Sequence, residues 1–475
     1  MAASLALVRL VLWFDLGVVA LLAAGIAVAA VLVQPRYGLY SIFAIVLLFE
    51  PDSVDPLMTP GVYLNKSLQS TLGATGGILI PLEMLLVLIV GAWLARGLVQ
   101  NRLDFRGGVL GRPMLLFGVA LVFAVIRGLV GGAIFNFAFW ESRFLFYMVL
   151  CYVLAANTLR TRAHIKTMLN LVFVCVSVFG IEGAWRKFAL IDAGQLGQVQ
   201  EFWYSHEDVV IWGLLIMLVF AQQAFGAPRW QRLLGPLMLA ITGFTMLLSE
   251  RRSGYIAVMV AFVAFSLILF FRKRRAFCLI SLPILLATAI YLPVFWNNTG
   301  TAGQPARAVR SLSQPDPRDA ASNVWRDLEA INVRATIASD PLLGIGFGRP
   351  FLQVVAVPDI SNFVFWNYEA HHDVLWLWMK TGGIGFILFF ILMGRGLARS
   401  VALTRELDDP QAKVFATLAV CAIIMSLTFC YVDLGLTSSR VPILLGTMLG
   451  SVSVLGRLYP RSAPAQKQAR VQQFR

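Results

Sequence analysis

The sequence predicts an all-α integral membrane protein, a polytopic bundle of transmembrane helices. Of the 475 residues, 59% are hydrophobic and only 13% are charged, whereas about a quarter of the residues of a soluble globular protein are charged. Long apolar runs recur along the whole chain. In lipid such runs must satisfy every backbone N–H and C=O internally, so they form helices. No run shows the apolar–polar alternation of a transmembrane strand.

Twelve apolar runs come close to the roughly 20 residues that a helix needs to cross a bilayer. They are 12–33, 75–97, 112–131, 140–157, 166–186, 208–225, 232–249, 254–271, 276–295, 373–393, 413–432 and 440–457. We interpret the first as a retained span and not as a cleaved signal peptide. A thirteenth run, 38–50, is short and ends in Glu50-Pro51. The sequence allows three positions for this run: it crosses the membrane, it re-enters the membrane from one side, or it lies in the interface.

One long polar segment interrupts the hydrophobic pattern and divides the chain. We predict an N-terminal transmembrane bundle over 1–295, a large loop over 296–372, C-terminal transmembrane helices over 373–457 and a basic tail over 458–475. Within the loop, helical spacing predicts an amphipathic helix over 322–339, and Asp340-Pro341 should end it. Its apolar positions are Val324, Leu328, Ile331 and Ala335.

The distribution of arginine and lysine predicts the orientation of the bundle, because cytoplasmic loops carry an excess of these residues. Every second predicted loop is basic, and the clearest is Arg272-Lys273-Arg274-Arg275, which joins two spans directly. We therefore expect the basic loops and the C-terminus in the cytoplasm and the 296–370 segment outside. Much of the net charge of +14 then follows from topology, so the charge gives no argument for nucleic-acid binding.

Two of the expected external turns break this charge rule. Arg186-Lys187 follows one span outward, and Arg251-Arg252 lies in the tight turn before another. An arginine placed within a span costs about 2.5–3.5 kcal/mol, so we expect a compensating partner. An anionic ligand such as phosphate would supply it. Snorkelling to lipid headgroups, or a local Glu182–Arg186 pair at helical spacing, would also do so.

The histidine pair His371-His372 stands where the long loop returns to the membrane. Histidine is the side chain best suited to move a proton near neutral pH. Either imidazole is therefore a candidate catalytic group, and a structural position at a helix start is the competing interpretation. His206 lies in an expected external stretch, where helix capping explains it.

The loop and the following helix carry a motif that resembles the signature of the O-antigen ligase and polymerase family. Asp340-Pro-Leu-Leu-Gly-Ile-Gly-Phe-Gly348 is followed by His371, and then by Gly382 and Gly385. The family signature is PLLGxGxG in a large external loop, then His-Asn, nine residues, Gly, two residues and Gly. Counting from His371 reproduces this spacing, and His372 replaces the usual asparagine. Arg252-Ser253-Gly254, at the start of a span, resembles a second family turn.

The loop glycines Gly344, Gly346 and Gly348 are expected to allow a tight backbone path beside a span. The resemblance implies Arg252 as a diphosphate ligand. Arg251 stands where the family turn has a serine, and it is a candidate ligand on its charge. The resemblance also implies His371 as the catalytic base, with His372 adjacent to it. Arg186 matches no family motif and stays a candidate ligand on its charge alone.

The family resemblance implies a multi-span glycosyltransferase that acts in surface-polysaccharide and lipopolysaccharide biosynthesis. Such enzymes move a glycan from an undecaprenyl-diphosphate carrier to an acceptor hydroxyl at the periplasmic face of the bacterial inner membrane. They need neither a metal nor a nucleotide sugar. The implied partners are the carrier-linked donor, a glycan or lipid A-core acceptor, and membrane lipids.

Two alternatives to a glycan ligase are open. A repeat-unit polymerase of the same family shares the fold and the chemistry and differs in its acceptor groove, which the sequence does not reveal. A transporter of lipid-linked glycans would need polar residues inside spans, broken helices and inverted repeats. Asp15, Glu83 and Arg127 are candidate intramembrane charges, but they are scattered and no repeat is visible.

Overall fold

A computed structural model describes residues 25, 28–50, 80–101, 105–191, 204–357 and 365–460. Within these ranges the chain forms helices joined by turns, with no β-strand. Eleven of the described helices are long and apolar enough to cross a membrane, and they coincide with the second to the twelfth predicted spans. The all-α, polytopic membrane fold is therefore confirmed. Most of the first predicted span, 12–33, lies outside the described residues.

We number the described helices in chain order. They are α1 (Pro35–Leu48), α2 (Pro81–Val99), α3 (Gly111–Val130), α4 (Phe135–Thr158), α5 (Arg162–Arg186), α6 (Asp208–Phe225), α7 (Arg229–Leu248), α8 (Arg252–Arg272), α9 (Arg274–Val294), α10 (Gln304–Arg310), α11 (Pro317–Ser339), α12 (Asp373–Glu406), α13 (Pro410–Cys430) and α14 (Arg440–Leu458). A π-helical turn, Lys187–Ile191, extends α5, and another, Phe277–Ser281, lies within α9.

The ends of the helices form two faces, which we name by their composition. The basic face carries the turns between α4 and α5, α6 and α7, and α8 and α9. Contacts connect these turns to neighbouring helix ends: Lys273 donates to the carbonyl of Ala224 in α6 at 2.5 Å, and Arg162 to that of Leu458 in α14 at 3.1 Å. The opposite, loop face carries α10 and α11, which pack on α8 and α12.

Helix α1 covers most of the short run 38–50 and reaches both faces. At the basic face, Arg36 lies 2.8 Å from His164 in the first turn of α5. At the loop face, Glu50 pairs at 2.9 Å with Arg186 at the end of the same helix. The 14 residues of α1 rise about 21 Å at 1.5 Å per residue, so long side chains complete the distance. Helix α1 therefore runs from one end of the bundle to the other.

The centre of the bundle is formed by α6, α13 and α14, whose spans are 83%, 78% and 83% buried inside the protein. Helix α13 packs against α6, α8, α12 and α14. Helix α9 lies at the periphery, where only 6% of its span is buried. Because α9 is apolar on all sides, water would be a poor solvent for it and lipid a good one.

Helix α11 is the amphipathic helix predicted at 322–339, and its limits follow from local chemistry. Asp316 caps it by accepting the backbone N–H of Asp319 at 2.9 Å, Pro317 occupies the first turn, and Asp340 follows its last residue. Its buried face differs from the apolar stripe seen in the sequence. Val324 and Ile331 of that stripe are 58% and 43% exposed.

The buried face of α11 is partly polar, because it supports an irregular chain segment. Asn332 accepts the N–H groups of Val354 and Val355 and donates to the carbonyl of Val355, all at 2.8–2.9 Å. Thr336 accepts the N–H of Leu352 at 2.8 Å. A segment without regular secondary structure has no ladder of its own to satisfy these groups. The side chains of α11 take over that function.

Candidate functional site

A cavity of about 450 Å³ lies at the loop face, between the ends of α8, α11, α12 and α13. Its size is within the range of roughly 300–1,000 Å³ that is usual for small-molecule sites. Arg251, Arg252 and His371, which the sequence marked as candidates, all line it. His206 and Arg326 line it as well. The fold therefore places cationic and titratable groups from distant parts of the chain around one space.

Arg252 begins α8 and contacts the loop above it. Its Nε lies 3.3 Å from Oδ1 of Asp319, and Arg307 of α10 contacts the same oxygen at 2.9 Å. These contacts hold α10 and α11 over the start of α8. A guanidinium has five N–H donors, and no other described side chain hydrogen-bonds that of Arg252. Its remaining donors are available to a ligand in the cavity.

Arg251 belongs to a chain of polar contacts that ends on a buried carboxylate. Its Nη2 donates to the carbonyl of Tyr204 at 3.0 Å, and its Nη1 lies 3.2 Å from Nε2 of His206. Nδ1 of His206 lies 2.8 Å from Asp433, which also accepts from Ser253 at 3.2 Å. Nδ1 of His206 can therefore donate to Asp433, and Ser253 donates to the same carboxylate.

Asp433 supplies a buried negative charge beside the cavity. Burial by itself raises its pKa, but His206, followed by Arg326 and Arg251, holds the pKa of Asp433 well below its usual range. The carboxyl group therefore stays ionised at neutral pH. Arg326 is half-buried on α11 and has no hydrogen bond or ion pair to the described residues. It brings a third guanidinium to a cavity that Glu250, Asp319 and Asp433 also line.

His371 forms a dyad with Glu329 of α11. Oε2 of Glu329 accepts the backbone N–H of His371 at 2.7 Å, and Oε1 lies 3.3 Å from its Nδ1. The ring of Trp325 packs edge-on against the imidazole, with centroids 4.5 Å apart. With the Nδ1 proton directed at Glu329, Nε2 carries the lone pair. This is the arrangement of a general base that a carboxylate orients.

His372 has different neighbours and is not among the residues that line the cavity. Its ring contacts Tyr431 at 4.5 Å, and its Nδ1 accepts the backbone N–H of Leu375 at 3.4 Å, which caps α12. Burial is the main cause that lowers the pKa of His372, and Arg334 lowers it further. A neutral ring suits an acceptor at a helix start.

Arg186 lies at the end of α5, away from the cavity. Its side chain is 1% exposed, and its Nη2 pairs with Glu50 and with Glu182, each at 2.9 Å. It also lies over the ring of Tyr204, 5.2 Å from the centroid. The Glu182 pair is the local alternative that helical spacing allowed. Because two carboxylates compensate Arg186, we assign it to the packing of α1 against α5 and leave it out of the proposed site.

The glycine motif holds the loop against a break in α12. At Gly382 the backbone has φ 66° and ψ 178°, which interrupts the helix. The amides of Ile345 and Gly346 donate to carbonyls just before the break, at 2.9 and 3.1 Å. In return the amides of Gly383 and Ile384, just after it, donate to loop carbonyls at 2.8 and 3.3 Å. The loop thus satisfies the backbone groups that the break releases.

The loop glycines adopt backbone conformations that other residues rarely take. Gly344, Gly346 and Gly348 have φ values of 71°, 82° and 79°. A Cβ added at Gly346 would lie 2.2 Å from the backbone nitrogen of Gly128 in α3. This is the tight path beside a span that the sequence suggested. Gly385 lies in α12 beyond the break, where a Cβ would meet the side chain of Thr381 at 2.4 Å.

A buried ion pair lies beneath the glycine loop, and it was not among the residues predicted from the sequence. Lys380 Nζ lies 2.8 Å from Oε1 of Glu141, and both side chains are 0% exposed. Glu141 also accepts the backbone N–H of Gly348 at 2.6 Å, and Lys380 donates to the carbonyl of Arg349 at 2.5 Å. Two opposite charges inside predicted spans were the available signal, since each needs a partner there.

The fold and the cavity define an integral membrane protein with a site that contains arginine, carboxylate and histidine side chains at one end of a helical bundle. The described residues contain no group of three His, Cys, Asp or Glu side chains placed to hold a metal ion. Residues 237–390 match the family model described as O-antigen ligase. This segment includes Arg251, Arg252, the glycine motif and His371.

The match confirms the resemblance stated from the sequence: over this segment the chain is similar to the O-antigen ligase family. The family and the membrane fold together indicate a ligase- or polymerase-type membrane protein of polysaccharide biosynthesis. No curated protein matches the chain.

Proposed function

We propose that the chain transfers a glycan from an undecaprenyl-diphosphate carrier to an acceptor hydroxyl at the outer face of the bacterial inner membrane. The family match supports this type of reaction. The basic turns support an orientation with the loop face outside and the C-terminus in the cytoplasm. The observation that carries the proposal is the loop-face cavity, which is lined both by Arg252 and by His371, the partner of Glu329.

In the proposed reaction, the acceptor oxygen attacks the anomeric carbon while the bond from that carbon to the diphosphate oxygen breaks. Nε2 of His371 takes the hydroxyl proton, and Glu329 stabilises the resulting imidazolium through Nδ1. The electron pair of the broken bond stays on the diphosphate. Arg252, with Arg251 and Arg326 around the same cavity, stabilises that added charge. The carrier then leaves as undecaprenyl diphosphate.

The site suits a donor whose reacting end is charged and whose tail is apolar. Arg252 and Arg251 stand at the start of α8, next to a membrane-spanning helix, so a diphosphate bound there has its tail close to lipid. The loop helices α10 and α11 cover the cavity from the other side. A partly covered cavity strengthens the electrostatic interactions inside it.

Glycan transfer by the purified protein tests the proposal. A carrier-linked glycan is offered with either a lipid A-core acceptor or a second carrier-linked repeat unit. We expect transfer to lipid A-core with release of undecaprenyl diphosphate, and no transfer by an Arg252→Ala/His371→Ala double variant. Growth of the carrier-linked glycan alone would instead identify a polymerase. Passage of the intact donor across a vesicle membrane, without cleavage of the sugar–phosphate bond, would contradict the proposal.

A further inference from the structure

A second polar cavity lies at the basic face, at the opposite end of the bundle from the proposed transfer site. It has a volume of about 360 Å³ and lies between the start of α1, the end of α2 and the turn from α4 to α5. Arg36, Arg96, Arg160 and His164 line it, and its lining contains no Asp or Glu. Neither the glycine motif nor the proposed transfer reaction uses these residues.

The three arginines have no carboxylate partner among the described residues. Arg96 donates to the carbonyl of Val33, and Nε of Arg160 donates to the carbonyl of Asn157 at 3.1 Å. Both acceptors are neutral, so no carboxylate of the described residues compensates these positive charges. Like charges around one cavity repel one another, and an anion that enters the cavity removes this repulsion.

His164 adds an independent observation. The residue is only 9% exposed, and its Nδ1 lies 3.0 Å from the backbone nitrogen of Arg160. Its Nε2 lies 2.8 Å from Nη1 of Arg36. A guanidinium carries donors only. With the imidazole proton donated to the Thr158 carbonyl, Nε2 accepts from Arg36, a neutral partner that leaves the charge of Arg36 without a carboxylate among the described residues.

We propose that this basic-face cavity binds a phosphate oxyanion, namely that of an anionic phospholipid headgroup. Arginine forks bind phosphate oxygens with charge-assisted hydrogen bonds. Arg96 lies in the last turn of α2, and Trp93, one turn earlier, also lines the cavity. Tryptophan is enriched at the membrane–water interface, which is the depth of headgroup phosphates. Basic pockets between transmembrane helices are known binding places for anionic headgroups.

Lipid binding by purified variants tests this site. The protein in detergent is mixed with dioleoylphosphatidylglycerol, dioleoylphosphatidylcholine or inorganic phosphate, and the bound species are counted by native mass spectrometry. We expect the wild type to prefer phosphatidylglycerol. Arg36→Gln/Arg160→Gln should weaken that binding about tenfold or more, as expected for lost hydrogen bonds to a charged group. Arg232→Gln, on the same face but outside the cavity, should bind as the wild type does.

The outcomes separate the sources of the phosphate group. Binding of inorganic phosphate by the wild type alone, with no preference among the lipids, would assign the cavity to free phosphate. Equal phosphatidylglycerol binding by the wild type and the double variant would overturn the proposal. An equal loss in Arg232→Gln would also overturn it, since the effect would then reflect the charge of the whole face. Should the double variant fail to fold, Arg160→Gln alone, at an exposed position, provides the same comparison.

Discussion

The two neighbouring histidines at the loop face, His371 and His372, contact different side chains. His371 lies against Glu329 and Trp325, while the ring of His372 lies against Tyr431 and caps α12. The sequence spacing alone favoured His371, because only that residue fits the family signature. The contacts supply a physical reason for the same choice, since only His371 has both an orienting carboxylate and a place in the cavity lining.

Substitution of the two histidines should separate their functions. His371→Ala should lower the rate of glycan transfer by about 10²–10⁴-fold, the usual contribution of general acid–base catalysis. His372→Asn should transfer at close to the wild-type rate, because the amide oxygen can still accept the N–H of Leu375. Transfer from a carrier-linked donor measures both, with protein level in the membrane as the control. Full activity in His371→Ala together with loss in His372→Asn would reverse the assignment.

Arg252 should be the most sensitive of the cavity arginines. Arg252→Ala should abolish transfer, and Arg252→Lys should keep part of it, because lysine retains the charge but loses the planar fork that contacts two phosphate oxygens. Arg251→Ala should matter less, because Tyr204 and His206 already engage that guanidinium. The kcat and KM for the carrier-linked donor are the measurements.

A matched variant distinguishes two functions of Arg252, which are ligand binding and the packing of the loop helices. Asp319→Asn removes the ion pair that Arg252 makes with α11 and leaves the guanidinium in place. If Asp319→Asn loses as much activity as Arg252→Ala, the contribution of Arg252 is structural. A wild-type rate in Arg252→Ala at normal expression would place the diphosphate elsewhere.

At the scale of elements, the glycine loop and α12 depend on each other. A helix broken inside a membrane protein exposes amides and carbonyls that have no water to bind. Here the loop around Gly346 supplies their partners across the break at Gly382. The motif is therefore a structural device beside the site. It holds the break inside α12, the helix whose start follows His371 in the chain.

Alanine substitution tests this dependence. Gly346→Ala should lower the melting temperature of the purified protein, since a non-glycine residue at φ 82° costs about 1–3 kcal/mol and its Cβ would collide with Gly128. Gly394→Ala, also in α12, is the control, because no heavy atom lies within 4 Å of an added Cβ there. Equal melting temperatures for the two variants, measured in the same detergent, would show that the loop is not needed for stability.

At the scale of the whole molecule, the path of α1 decides the topology. Because α1 runs from the basic face to the loop face, the described chain from Pro35 to Leu458 begins and ends at the basic face. The charge pattern predicts that this face is cytoplasmic. The loop-face cavity and the phosphate cavity proposed at the basic face would then lie on opposite sides of the membrane.

Cysteine labelling in intact cells should establish the orientation. The one exposed cysteine in the described structure, Cys278, is first replaced by serine, and the other four are buried. An impermeant thiol reagent should then label Ser313→Cys, in the exposed part of the loop, and should not label Arg275→Cys at the basic face. Permeabilised cells, in which both positions should react, provide the control. Labelling of position 275 alone in intact cells would invert the topology.

The sequence by itself determined the fold class, the second to twelfth spans and the resemblance to the O-antigen ligase family. Composition and run length are sufficient for the spans because lipid admits few backbone structures. It also placed His371, Arg251 and Arg252 as candidates, through motif spacing and through charges that oppose the topology rule. These properties depend on residues that are close to one another in the sequence, so they can be inferred before the fold is known.

Only the tertiary structure decided which side chains meet. No long-range signal in the sequence pairs Glu329 with His371, or Glu141 with Lys380, across separate helices. It also suggested an apolar stripe through Val324 on α11, whereas the structure buries a partly polar face there. The physical reason is the same in each case: a buried polar group is stable only with a partner, and the fold alone sets which partner lies within hydrogen-bonding distance.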